Sequence, residues 1–347
     1  MHRREFLKIA ALTPVGFRMA PIPASINSER HVYLGTQHAI HVFAVEQGKW
    51  LPLQEVACEA PSCLVLHPFV PILYATNEVQ EFQGLPCGSV TVFAIGRDGH
   101  LSLIQRIRLS LSATLPRSMA ISPHGAYAVV TAHGGGAYNL FSIDRRGSLG
   151  CVQGVAKEIG SGVHLEQESS HPQHACFDNN GHIVAADLGT DRIHILSTYG
   201  GTLNLHKRYQ MVPGAGPSTL AVHPEGSFVA VSNRLNESVC VYQYDSLRGT
   251  LGELHETLPG RAMAFQAQRS MLIVEKCKSL DLYLWHGNTG RLRLLNSVNI
   301  PGIVSSIVPG HSSILLVFGN EIASMSLDDL SLQRIPVHRS SNCILRT

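Results

Sequence analysis

Residues 217–254 read PSTLAVHPEGSFVAVSNRLNESVCVYQYDSLRGTLGEL. A proline opens a short apolar run, Leu220-Ala221-Val222. His223-Pro224-Glu225-Gly226 then supplies turn chemistry, with proline fixing φ and glycine free to take a positive one. A second run follows, Phe228-Val229-Ala230-Val231, then a polar loop, Asn233-Arg234-Leu235-Asn236. A third run, Val239-Cys240-Val241-Tyr242, leads through Gly249-Thr250-Leu251 into a fourth. Each run is short, apolar and rich in β-branched or aromatic residues, as buried strands are. The segment predicts one unit of four antiparallel strands.

The unit recurs along the chain. Copies begin at Pro61, Pro116, Pro172 and Pro217, near Gly260 and near Gly302, at steps of 55, 56, 45, about 43 and about 42 residues. The turns repeat as well, with Ser122-Pro123-His124-Gly125 and Asn179-Asn180-Gly181 in the place of His223-Pro224-Glu225-Gly226. Residues 31–56 hold three strands and lack the innermost one, while Asn342-Cys343-Ile344-Leu345-Arg346 is one short strand with nothing after it. Pairing the two completes a blade and removes the open sheet edge that a linear array would expose. The prediction is therefore an all-β, seven-bladed β-propeller over residues 31–347. Its blades are four-stranded, and its ring is closed by the C-terminal strand joining the N-terminal blade. A period near 42 residues disfavours a β-solenoid or a sandwich.

The 347 residues carry a formal net charge of +2, with 44% hydrophobic and 15% charged residues. That balance argues against a nucleic-acid partner, which calls for a clustered basic face. No stretch of 18 apolar residues suggests a membrane span. Arg3-Arg4-Glu5-Phe6-Leu7-Lys8, with the apolar segment up to Ala20 behind it, fits a twin-arginine export signal over residues 1–25. The expected location is then periplasmic or secreted; the competing reading is a frayed basic N-terminus on a cytoplasmic protein. None of the eight cysteines forms a CxxC pair, and most read as small buried hydrophobes. A monomer is expected.

In a propeller, two sets of loops open on one face around the central channel: those entering each innermost strand and those joining the second and third strands. The entering loops supply Ser62-Cys63, Arg117-Ser118, His171-Pro172-Gln173-His174, Ser218-Thr219 and Arg261. The other set supplies Asn77-Glu78, His133 with Gly134-Gly135-Gly136, Asp187 to Arg192, Asn233-Arg234 and Lys276-Cys277-Lys278. The fourth blade is richest, with His171, His174, Asp187, Asp191 and Arg192. Histidine exchanges protons near neutral pH, and arginine holds a carboxylate or phosphate through two N–H groups. Arg117, Arg192, Arg234 and Arg261, with Lys276 and Lys278, make the face attractive to an anion. Asp191, in a Gly-Thr-Asp turn, reads as structural. The glycine triplet lacks the following helix of a phosphate loop and reads as a close-approach loop. His171 and His174 alone make a weak metal site, so neither a metal nor a cofactor is expected.

Ser170-His171-Pro172-Gln173-His174-Ala175-Cys176-Phe177-Asp178, together with Ala185-Ala186-Asp187-Leu188-Gly189-Thr190-Asp191-Arg192-Ile193, resembles the lactonase family of seven-bladed propellers, typified by the propeller form of 6-phosphogluconolactonase. Leu66-His67-Pro68, Leu73 to Glu78 and Gly214-Ala215-Gly216-Pro217 match as well. The resemblance implies hydrolysis of a sugar lactone or related anion without a cofactor. It places Glu78, His171, His174 and Asp187 as catalytic, and Arg192, His133, Arg117 and Asn233 as substrate-binding. Two departures stand out. The family's Gly-Pro-Arg-His is Gly216-Pro217-Ser218-Thr219 here, and its Asn-Glu-Leu is Asn233-Arg234-Leu235. The alternative function is a non-catalytic propeller that binds a ligand or protein on the same face. A propeller isomerase of lactone-forming muconates is chemically adjacent.

Overall fold

Proline has no N–H for a ladder, so strands accept it at their first residue. Pro61, Pro116, Pro172 and Pro217 each occupy that position, starting β4 (Pro61–Leu66), β8 (Pro116–Ile121), β12 (Pro172–Phe177) and β16 (Pro217–Val222). The computed structural model describes residues 31–336 and 341–347, so the export segment lies outside the described residues. It contains 28 strands in seven antiparallel sheets of four. The sixth and seventh copies start without proline, at β20 (Ala262–Gln266) and β24 (Ser306–Pro309), a few residues beyond the glycines that mark them in the sequence. The ring closes as expected. β28 (Cys343–Arg346) pairs antiparallel with β1 (His31–Gly35), from Val32 opposite Arg346 to Gly35 opposite Cys343.

Burial follows position in the blade. The second strand of blade two, β5 (Ile72–Asn77), is buried at all six residues because neighbouring blades cover both its faces. The outermost strand of blade three, β11 (Leu149–Lys157), alternates half-buried and exposed residues at the rim. Seven apolar clusters fill the seven junctions between blades. One joins Tyr74 and Val92 of blade two to Met119 and Phe141 of blade three, and another joins Leu34 of blade one to Leu315 and Val317 of blade seven. Removing this surface from water is the main stabilising effect, at about 25 cal/mol per Å². No helix among the described residues is long and apolar enough to cross a membrane. The eight cysteines are all free thiols.

One local irregularity matters for function. In blades two to five the ladder slips just after the opening proline, between Pro61 and Cys63, Pro116 and Ser118, Pro172 and His174, and Pro217 and Thr219. Such a bulge leaves one residue unpaired and re-aims its side chain. Those unpaired residues are Ser62, Arg117, Gln173 and Ser218, and all four face the channel.

Candidate functional site at the channel mouth

The channel mouth is a cavity of about 440 Å³. Six blades each give it two consecutive residues: Ser62 and Cys63, Arg117 and Ser118, Gln173 and His174, Ser218 and Thr219, Arg261 and Ala262, Ser305 and Ser306. Val304 and Arg234 complete the wall. The repeat therefore delivers a double ring of side chains at the top of the innermost strands. Behind it, hydroxyls tie the wall to the second strands. Ser62 meets Thr76 at 2.9 Å, Ser118 meets Thr131 at 3.1 Å and Ser218 meets Ser232 at 3.0 Å.

Three guanidinium groups converge on this cavity, and each is braced by a carboxylate from a loop earlier in the chain. Arg117 pairs with Glu78 at 3.1 Å, Arg234 with Glu166, and Arg261 with Glu237 at a longer 3.8 Å. Partly exposed pairs of this kind contribute little stability; their effect is to aim the arginines. Burial raises the Glu78 carboxyl above its usual range, and Arg117 opposes that rise. Lys276 is not part of the wall: its ammonium turns to Asp281 and the Tyr283 hydroxyl of its own blade.

His174 is the ring that reaches the cavity. Its Nδ1 accepts the backbone N–H of Leu220 at 3.3 Å, so the neutral ring carries its proton on Nε2. Burial lowers its pKa to about 4, which keeps it neutral near pH 7. A neutral imidazole with Nε2–H is a hydrogen-bond donor. His133 lies one layer back. Its Nδ1 meets Gln173 Nε2 at 2.7 Å and its ring stacks on His171, with centroids 4.3 Å apart. Burial, then the positive charges of His171, Arg117 and Arg234, lower the His133 pKa to about 4.

The other fourth-blade residues hold the loops in place. His171 is buried away from the cavity, with Nδ1 on the His133 carbonyl and Nε2 on Glu168, both at 3.0 Å. Asp187 is fully buried; it accepts the His171 N–H at 2.7 Å, the Gly189 N–H at 3.0 Å and the Ser170 hydroxyl at 2.6 Å. It fixes the loop that delivers Gln173 and His174, and its full burial keeps it from the cavity. Arg192 points outward, donating to Gln210 on the rim strand at 3.2 Å. Asn233 is buried and donates to Ser238 at 3.1 Å, bracing its own loop. These four residues, placed at the active face from the sequence, do not line the cavity, and Glu78 and His133 stand behind its wall, against Arg117 and Gln173. The reason is common to all of them: a residue at a strand end alternates between channel and interior, and a one-residue difference reverses the face.

Asp191 is structural, as the sequence suggests. It accepts N–H bonds from Gly214 at 2.6 Å and Gly216 at 2.7 Å, and one from Gln167 at 2.7 Å, so blade four anchors the loop that enters blade five. Gly135 also behaves as expected: a Cβ there would lie 1.7 Å from the Ser112 carbonyl oxygen. The sequence reading did not include the wall residues of blade seven, the bracing Glu166 and Glu237, or Glu275 of blade six. Blades six and seven begin without the proline that marks blades two to five.

A seven-bladed propeller with a polar, arginine-ringed channel mouth defines the class. Within that class, the chain matches the family described as Lactonase, 7-bladed beta-propeller, over residues 31–276 and again over 217–305, and it belongs to that family. It is 25% identical over 169 residues to a 6-phosphogluconolactonase of Bacillus subtilis, covering 48% of each chain. It is 32% identical over 127 residues to an uncharacterized protein of Lactococcus lactis, covering 36% of this chain and 37% of that one. The chain thus matches half or less of the length of these curated relatives. Two solved structures share the fold. One is a putative 6-phosphogluconolactonase of Bacteroides fragilis, with TM-score 0.78, 20% identity and 94% and 99% coverage. The other is a periplasmic gluconolactonase of Pseudomonas aeruginosa, with TM-score 0.78, 19% identity and 91% and 98% coverage.

Proposed function

We propose that this protein hydrolyses an anionic sugar lactone at the channel mouth. The observation that carries the reading is the convergence of Arg117, Arg234 and Arg261 around the neutral His174 in one cavity. The arginines supply charge and paired N–H donors for a phosphate or carboxylate. The family and the 6-phosphogluconolactonase among its relatives support a lactone as the ligand.

In this reading water attacks the lactone carbonyl. Glu78 accepts the proton from the attacking water, its basicity increased by burial. The carbonyl oxygen gains negative charge and is met by the Nε2–H of His174 and by a guanidinium. Collapse breaks the ring C–O bond, the ring oxygen takes up the proton, and a hydroxy acid leaves. A pH-stat assay on a panel of phosphorylated and plain sugar lactones tests this. Turnover above spontaneous opening, faster for phosphorylated lactones, is expected. No turnover on any of them would sink the catalytic reading. It would favour the binding-only alternative, which draws on Ser218 and Thr219 standing where the family carries arginine and histidine.

A further inference from the structure

Blade six carries a group that the reaction above does not use. Glu275 is the fifth residue of β21 (Met271–Lys276), the second strand of its blade, and pairs across the ladder with Ala262 in the cavity wall. It is 0% exposed, and neither carboxylate oxygen makes a well-formed hydrogen bond among the described residues; the one donor close by is the backbone N–H of Val304. An unsatisfied buried acid is costly, by several kcal/mol when charged, so it calls for an explanation.

The ladder shows where the carboxylate goes. Ala262 occupies the rung that holds Ser118, His174 or Thr219 in other blades, and its methyl group leaves that space empty. Glu275, directly opposite Ala262, projects from the same face of the sheet beside it. Its electrostatic neighbours are wall residues: the Arg261 guanidinium and the Val304 N–H favour the ionised form, while burial, the largest influence, and Glu237 raise its pKa. Arg261 is one-third exposed, and its 3.8 Å pairing with Glu237 is loose. That leaves the guanidinium beside Glu275 able to turn onto an anion in the cavity.

We propose that Glu275 is a ligand-recognition group of the channel site, accepting a hydrogen bond from a hydroxyl of the ligand that lies next to the anionic group held by Arg261. The ligand class this selects is a polyhydroxylated anion, a sugar acid or sugar phosphate, over a bare anion. The proposal rests on the sugar-lactone reading and narrows it. With Arg261 drawn onto the anion, the ligand's hydroxyl supplies a hydrogen bond to a carboxylate that the fold leaves short of donors.

The test is calorimetric binding of 6-phosphogluconate and of inorganic phosphate to the full chain and to the Glu275→Gln and Glu275→Ala variants, with thermal unfolding of each. The wild type should bind 6-phosphogluconate more tightly than phosphate. Both variants should lose about tenfold or more in 6-phosphogluconate affinity, the range for a hydrogen bond to a charged group, and bind phosphate at least as well as before. Their Tm should stay level or rise, because a buried unpaired acid has been removed. Equal change for both probes, no change for either, or a lowered Tm in both variants would overturn the role of Glu275. A wild type that fails to prefer 6-phosphogluconate would instead bring down the sugar-lactone reading, and this proposal with it.

Discussion

Blades four and six use the same rung of the same ladder in opposite ways. In blade four the innermost strand carries the large group, His174, opposite the small Ala186. In blade six the innermost strand carries the small Ala262, opposite the large Glu275. Both rungs pair one large side chain with one small one. The first presents a donor held in place by the backbone of Leu220; the second stores an acceptor with no well-formed hydrogen bond. The two blades also differ in their other acids. Asp187 and Asp191 of blade four each accept three hydrogen bonds, whereas Glu275 has only the Val304 N–H nearby and no well-formed bond. A buried acid with its bonds made supports the fold, and one without them is a candidate for function.

That contrast predicts opposite signs on stability. Asp191→Ala should destabilise by about 3–5 kcal/mol, since it strands the buried N–H groups of Gly214 and Gly216 and the amide of Gln167. Denaturant unfolding reads this directly. A loss under about 1 kcal/mol would mean that the blade-five loop holds itself. Removing Glu275, as above, should not destabilise.

On the activity side, His174→Ala should lower kcat/KM for lactone opening about a hundredfold, the usual cost of an oxyanion donor. His174→Gln, which keeps an N–H donor, should recover part of it. Retained turnover in the alanine variant would move the chemistry away from blade four.

The smallest effect per residue is pH-dependent stability. His133 and His174 titrate near pH 4 in the folded chain and near about 6.5 unfolded, and burial also lowers the pKa of His194. Between those values the unfolded chain binds more protons, so acid favours unfolding. Stability should be flat above about pH 6.5 as far as these groups decide it. It should then fall towards pH 4, by up to ~1.4 kcal/mol per pH unit for each histidine. Chemical unfolding at pH 7, 6 and 5 checks the slope, and His174→Gln should flatten it.

The fold was legible because its signals are local. Proline at strand starts, glycine in turns and four apolar runs per period each follow from the backbone preferences of nearby residues. The wall positions of blades two to five were legible for the same reason, being the two residues after each opening proline. The roles of Asp187, Asp191 and Arg192 depend on which face of the loop each side chain meets. Asp191 finds its partners more than 20 residues downstream, at Gly214 and Gly216, and no spacing rule announces that. Glu275 is invisible in sequence for a related reason. Beside Lys276 it looks like one of a pair of rim charges, and only the ladder sets it opposite Ala262.

The closing strand has a consequence for when the site comes into being. Val32 pairs with Arg346, a contact across nearly the whole sequence and therefore among the slowest to form. The Cys343 thiol of that strand donates to the Pro61 carbonyl at 3.2 Å, and Pro61 is the residue before Ser62 and Cys63 of the cavity wall. The last seam to be stitched thus sets the first side of the pocket. A chain caught before closure holds its blades but not a finished pocket, so maturation of the binding site reports completion of the circle.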